Sequence, residues 1–394
     1  MKIVSDNPNN LLEKLDIAKK QFENAKSRKE KLAIWNYIHE LEETIPSVIP
    51  GIAFKKMTDK DTKKSKIINK KVDVIEEKII KNFLLYKDFH KVFLEGIQRK
   101  SAHQLRNLDR YLVRQNMNSY SSITDLSEDD YYNILFEFMN KIGLAKYFDK
   151  YVRGKRIYSS KLELISGATA VGLYNPISKD SDIVVDRMEY DIFSMNNLAH
   201  EFGHIYDMNH FSESIECYNN HTFQTFNDEV VSKTFERLFL DYLIENNILR
   251  EEAKDILFDI YDCSYQFILT AYIISLIPDE YIIDGSYINM STTKIYKLVE
   301  KYFSRNDPIK RNIHENCNDI NIHEKYKYAY GDIFSLIFKE KIKENGYNLD
   351  QLDEFFEYRG ESFSPKLLEK LDINKNTYVK LYKKDIELLK KPSN

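Results

Sequence analysis

His200-Glu201-Phe202-Gly203-His204 places two imidazoles four residues apart, with a carboxylate beside the first. On an α-helix, residues i and i+4 share a face, so both imidazoles reach one metal ion. The Glu201 carboxylate then sits where it takes a proton from a metal-bound water, the chemistry of the H-E-x-x-H pattern. These five residues supply two ligands and a general base. A third ligand, an oxyanion donor and a substrate groove must come from elsewhere.

A catalytic zinc usually has three protein ligands and one open position. The acidic residues downstream are Glu213, Glu216, Asp228, Glu229 and Glu236. Glu213 and Glu216 fall in the polar stretch SESIECYNNHTFQTFN, which reads as a loop. Asn227 reads as an N-cap, and Val231, Phe235, Leu238 and Tyr242 form the apolar stripe of a following helix. Glu229 lies in the first turn of that helix and Glu236 two turns on, on a similar face. Spacing alone leaves Glu229 equally suited to two roles. It is either a ligand, or a residue that favours the helix dipole and pairs with Lys233 at i+4.

The elements that position these groups follow from periodicity. Met195, Leu198, Ala199, Phe202 and Ile205 recur at helical spacing, which predicts a buried amphipathic helix around the motif. Gly203 lowers helix propensity there and fits a place where another backbone or a substrate comes close. Upstream, Lys161 to Asp186 carries Gly167, Gly172, Asn175-Pro176 and alternating β-branched residues, which predicts two short strands joined by a turn. An exposed edge from Gly167 to Tyr174 would pair with an extended peptide. The competing reading is a hairpin that simply packs under the motif helix.

Elsewhere residues 8–45 and 66–150 read as charged amphipathic helices, with a loop from Pro46 to Lys66 between them. Leu126 to Asp130 reads as a helix start, and Phe267 to Pro278 as a buried core helix too short for a membrane span. Only 11 Gly and 8 Pro in 394 residues favour long helices over a many-turned β fold. Lys+Arg 58 against Asp+Glu 62 gives a net charge of −4, which points to neither nucleic acid nor an acidic membrane surface. The N-terminus lacks an apolar signal region. Cys217, Cys263 and Cys317 are odd in number and widely spaced, as expected of reduced thiols in a cytoplasmic protein.

Four separated stretches together resemble the thimet oligopeptidase and oligoendopeptidase F family of zinc peptidases. They are LAHEFGHIYD at 198–207, NDEVVSKTFERLFLDYL at 227–243, EKYKYAYGDIFSLIF at 324–338 and FFEYRGESFSPKLLEKLDIN at 355–374. The resemblance implies a mainly α, two-lobed, zincin-like peptidase with a small antiparallel β-sheet beside the H-E-x-x-H helix. Its N-terminal helical lobe would span 1–155 and its catalytic domain 156–394. It implies one zinc ion per chain on His200, His204 and Glu229, with Glu201 as base and Tyr328 as oxyanion donor. Gly167, Tyr326 and Tyr330 would contact substrate, and His314 and His323 both stand for the family's substrate-binding His. The chain departs from the family in a shortened N-terminal half and in Asp207, where a His is frequent. The shortening leaves the cleft either more open or covered by a second copy of the chain, a homo-oligomer.

The activity implied is a metalloendopeptidase acting on short unstructured peptides, or a dedicated processing enzyme for one peptide. The alternative is a non-catalytic, zinc-containing peptide-binding protein, which would have no need of Glu201. Two imidazoles and a carboxylate suit zinc better than manganese or cobalt.

Overall fold

Four helices of this chain start where a short polar side chain caps them. Ser27 accepts the backbone N–H of Glu30 while Glu30 answers the Ser27 amide, a capping box that opens α2 (Arg28–Val48). Ser127, Ser364 and Asn374 cap three further helices in the same way. The computed structural model describes residues 5, 7–49, 51–52, 85–114, 124–160, 170–186, 189–211, 229–283, 287–288, 290–291, 293–295, 297, 322–358 and 364–390.

The order begins with α1 (Asn9–Asn24), α2, α3 (Lys87–Arg114), α4 (Glu128–Lys141) and α5 (Ala145–Phe148), the last running into a π-turn. Strands β1 (Ile157–Ser160), β2 (Ala170–Asn175) and β3 (Asp180–Asp186) come next. Then come α6 (Ile192–Phe211), α7 (Val230–Glu245) and α8 (Arg250–Leu276), and a two-residue pair β4 (Ile282–Ile283) and β5 (Tyr287–Ile288). The chain ends in α9 (Ile322–Glu344), α10 (Asp353–Tyr358), α11 (Pro365–Lys370) and α12 (Lys375–Leu389). The protein is mainly α, as its shortage of breakers predicts. One expectation is corrected: Pro46 does not open a loop but lies inside α2, which continues to Val48. In the last turn Pro costs one hydrogen bond and leaves little helix to break.

The sheet is also corrected. It has three strands in the order β1-β3-β2, and it is mixed rather than antiparallel. β2 and β3 form the expected hairpin, with Gly172 opposite Ile183, and Asn175 Oδ1 accepts the amides of Ile177 and Ser178 in the turn. β1 joins β3 in parallel. Tyr158, Leu173 and Val184 point from the strands into the α1–α2 hairpin. Ile157, Ala170, Ile183 and Val185 join the main core on the opposite face. The alternation of side chains across the pleat thus places the sheet between a helical hairpin and the α6 layer.

Behind the sheet α7 is the central element, packed against α6, α8 and α9. A helix enclosed on all sides buries its polar residues too, and Ser232, Thr234, Arg237 and Asp241 are all buried. Arg237 donates to Ser335 Oγ, Ser264 Oγ and Asp332 Oδ1 at 3.0–3.1 Å, and Lys233 Nζ lies 3.1 Å from the same Asp332 oxygen. This charged cluster ties α7 to α8 and α9 and sets their register. Burying such charges costs desolvation that their mutual attraction offsets, so the cluster is weak evidence of added stability. Among the described residues no helix is long and apolar enough to cross a membrane.

Candidate metal centre

His200 and His204 lie one turn apart in the middle of α6, whose other residues Met195, Leu198, Ala199, Phe202 and Ile205 are fully buried. Their Nε2 atoms are 3.1 Å apart. Glu229 stands at the N-cap position of α7, and its side chain makes no capping hydrogen bond there. Its Oε2 instead lies 3.4 Å from His200 Nε2 and 3.7 Å from His204 Nε2. The helix N-terminus and the imidazoles both favour the carboxylate there.

Three donor atoms converge with those spacings. A point equidistant from all three lies about 2.0 Å from each, and zinc takes nitrogen and carboxylate oxygen at about 2.0–2.2 Å. The donor set and its dimensions fit a zinc ion on His200, His204 and Glu229. His200, Glu201 and His204 also form a compact group that could hold a metal. Glu229 is the better third ligand because its oxygen meets both Nε2 atoms, while Glu201 follows His200 directly in the chain.

The approach of the helices depends on two glycines. A Cβ on Gly203 would stand 2.5 Å from Ser232 Cα and 2.9 Å from Val231 O, so α6 and α7 cross backbone to backbone here. A Cβ on Gly331 of α9 would stand 2.7 Å from the Glu229 Cβ. Gly203 and Gly331 therefore let α6 and α9 close on the residues around the start of α7, and this brings the Glu229 carboxylate to the histidines.

Glu201 is buried, and its Oε2 has no hydrogen-bond partner. Burial raises its pKa to about 7; the His200 charge lowers it, the Glu229 charge raises it further, and the Gly172 backbone amide favours the charged form. A carboxylate with an orphaned oxygen that titrates near neutrality suits a general base. Gly172 allows the close seat: a Cβ there would meet Glu201 Oε2 at 3.3 Å. Burial alone would raise Glu229, yet the His200 hydrogen bond and the charges of His204 and Lys327 hold it well below the usual carboxylate range.

Behind the imidazoles, Glu236 Oε2 lies 4.0 Å from His200 Nδ1, and Asn196 Nδ2 donates to Glu236 Oε1 at 3.1 Å. Glu236 thus faces the ring nitrogen turned away from Glu229 and stands in place to orient the imidazole. The spacing argument placed it on the same face as Glu229; in the fold it lies on the far side of the His200 ring.

The remaining expected site residues are placed as follows. Tyr328 is half-buried and stacks on Phe267 of α8, ring centroids 4.8 Å apart, with Lys327 Nζ 5.0 Å from its ring. Tyr326 and Tyr330 are buried, and their hydroxyls have internal partners. Tyr326 donates to Ala271 O at 3.0 Å, and Tyr330 Oη is 2.7 Å from His90 Nδ1 on α3. Both phenols take part in helix packing, on a face that points into the core. Gly167, His314 and Asn227, and the side chain of His323, lie outside the described residues. Sequence reasoning passed over Lys327, whose Nζ lies 2.9 Å from Glu229 Oε1. The only signal was its place among the tyrosines of α9.

No family model matches this chain. No curated protein sequence matches it either. A solved structure from Chlamydophila abortus, provisionally described as a peptidase, is similar in fold with a TM-score of 0.51 and 14% identity. The match covers 76% of this chain and 55% of that one, so the chain spans about half the length of the structure it matches. The chain has the helical architecture of that peptidase-like fold, with two histidines and a glutamate gathered at its centre.

Proposed function

We propose that this chain is a zinc-dependent peptidase that hydrolyses peptide bonds in short unstructured peptides. One observation carries the proposal. His200, His204 and Glu229 bring one atom each to within 3.1–3.7 Å of one another beside the buried, unpartnered oxygen of Glu201. The likeness to a peptidase-like fold and the four family-like stretches support it.

When bound, zinc supplies Lewis acidity that activates water and polarises the scissile carbonyl. Glu201 accepts the proton of the attacking water and returns one to the leaving amine, tasks that suit a carboxyl titrating near 7. Glu236 orients His200. Tyr328, on the solvent-reaching side of α9, is the proposed oxyanion donor. Among the described residues β2 pairs with β3 alone, and its other edge is where an added strand would lie. β2 also packs on α6, with Gly172 against Glu201. An extended peptide adding to that edge would be read through its main chain and pass the base, with little demand on its side chains. Processing of one dedicated peptide in the cytoplasm is the narrower form of the proposal.

Wild type and Glu201→Gln should be compared for bound zinc and for cleavage of a quenched peptide library. Zinc in both and cleavage in wild type alone is the expected result. Zinc in both with no cleavage in either would favour a peptide-binding protein. Wild type that retains no zinc when purified without chelator would end the metal reading.

A further inference from the structure

We infer that Lys327 is a positioning residue that holds Glu229 as a one-oxygen ligand. The inference deepens the zinc reading of the centre and rests on it. The two oxygens of Glu229 have separate surroundings. Oε1 meets Lys327 Nζ at 2.9 Å. Oε2 receives Ser232 Oγ at 3.1 Å and faces both histidines. The pair is well shielded: the Glu229 side chain is 4% exposed and that of Lys327 22%.

Lys327 and Gly331 are i and i+4 on α9, so they share a face, and that face meets Glu229. Gly331 provides the clearance, since a side chain there would collide with the Glu229 Cβ. Lys327, one turn earlier, provides the cation. The same helical face therefore both admits the glutamate and fixes its rotation. A carboxylate free to turn can give a metal either one oxygen or two. Two oxygens from Glu229 beside a retained water would raise the coordination number from four to five and crowd the position that a substrate carbonyl needs. A charge-assisted hydrogen bond on Oε1 opposes that turn, and its partner must be cationic to hold against the ion. Lys327 thereby keeps the centre open without touching substrate.

The test uses the full chain loaded with cobalt(II), whose visible bands weaken as coordination number rises. Wild type, Lys327→Met, Lys327→Gln and Lys327→Arg are compared, each checked for helicity and for one metal per chain. In the Met and Gln variants the visible bands should weaken against wild type, as a four-coordinate site becomes five-coordinate. Lys327→Arg should restore them. Met and Gln variants with wild-type spectra, or an Arg variant that fails to restore the bands, would overturn the inference. Wild type that binds no cobalt or zinc would overturn the metal reading itself, a separate result visible before any variant is compared.

Discussion

Gly203→Ala adds one methyl group at the crossing of α6 and α7. The added carbon would lie 2.5 Å from Ser232 Cα and 2.9 Å from both Ser232 N and Val231 O. Non-bonded carbons rest at about 3.5–4.0 Å, so the helices must part by about 1 Å. The neighbours are backbone and cannot swing aside. Overpacking of this kind costs about 1–3 kcal/mol, while Ala in place of Gly returns about 1 kcal/mol of helix propensity. Net stability should therefore fall only slightly, and it is a poor readout. Metal binding is the decisive one. Glu229 lies three residues before Ser232, and a shift of about 1 Å far exceeds the roughly 0.2 Å tolerance of a metal–ligand distance. Zinc affinity should drop by about 10–100-fold, the scale seen when the support of a ligand is lost. The assay is competition with a chromophoric chelator, with circular dichroism showing that the helices persist. Gly96→Ala, which meets only the Lys375 side chain at 3.2 Å, is the control and should bind zinc as wild type does. A folded Gly203→Ala protein with wild-type zinc affinity would refute the argument that this close approach delivers the third ligand.

Two further outcomes concern the frame around the site. Asp332→Ala leaves Lys233 and Arg237 as buried cations without their shared partner, and should destabilise by about 3–5 kcal/mol in urea unfolding; a change below 1 kcal/mol would show that the cluster is solvated. His90 is buried against Tyr326 and Tyr330, and burial lowers its pKa from 6.5 to about 3. Between those values the unfolded chain binds one proton more than the folded one. The stability His90 contributes is thus present above 6.5 and lost as pH falls, by about 1.4 kcal/mol per pH unit. Urea unfolding should lose about 2 kcal/mol between pH 6.5 and 5 on this account, and His90→Gln, which can still bond Tyr330, should flatten that slope by one proton. An unchanged slope would assign the acid sensitivity to other groups.

The amino-acid order alone carried the helical class, the motif helix, the β2–β3 hairpin and the list of groups able to bind a metal. Each is local: a 3.6-residue period, a two-residue alternation, a capping Ser or a turn-forming Asn is legible within a dozen residues. Gly203 was legible in part, because an expensive residue inside an apolar helix marks a close approach even when its partner is unknown. β1 escaped notice because a four-residue strand pairing in parallel with β3 has no turn to announce it. The burial of Tyr326 and Tyr330 was not legible, because facing the core and facing a cleft produce the same spacing. The roles of Glu229 and Glu236 were undecidable by spacing, since both lie on one side of α7. Only the crossing of α6, α7 and α9, set by backbone contact at Gly203 and Gly331, places Glu229 before the two Nε2 atoms, Glu236 behind one of them and Lys327 on the remaining oxygen. Periodicity states which face of a helix is buried; it is the packing of three helices that selects which buried groups meet.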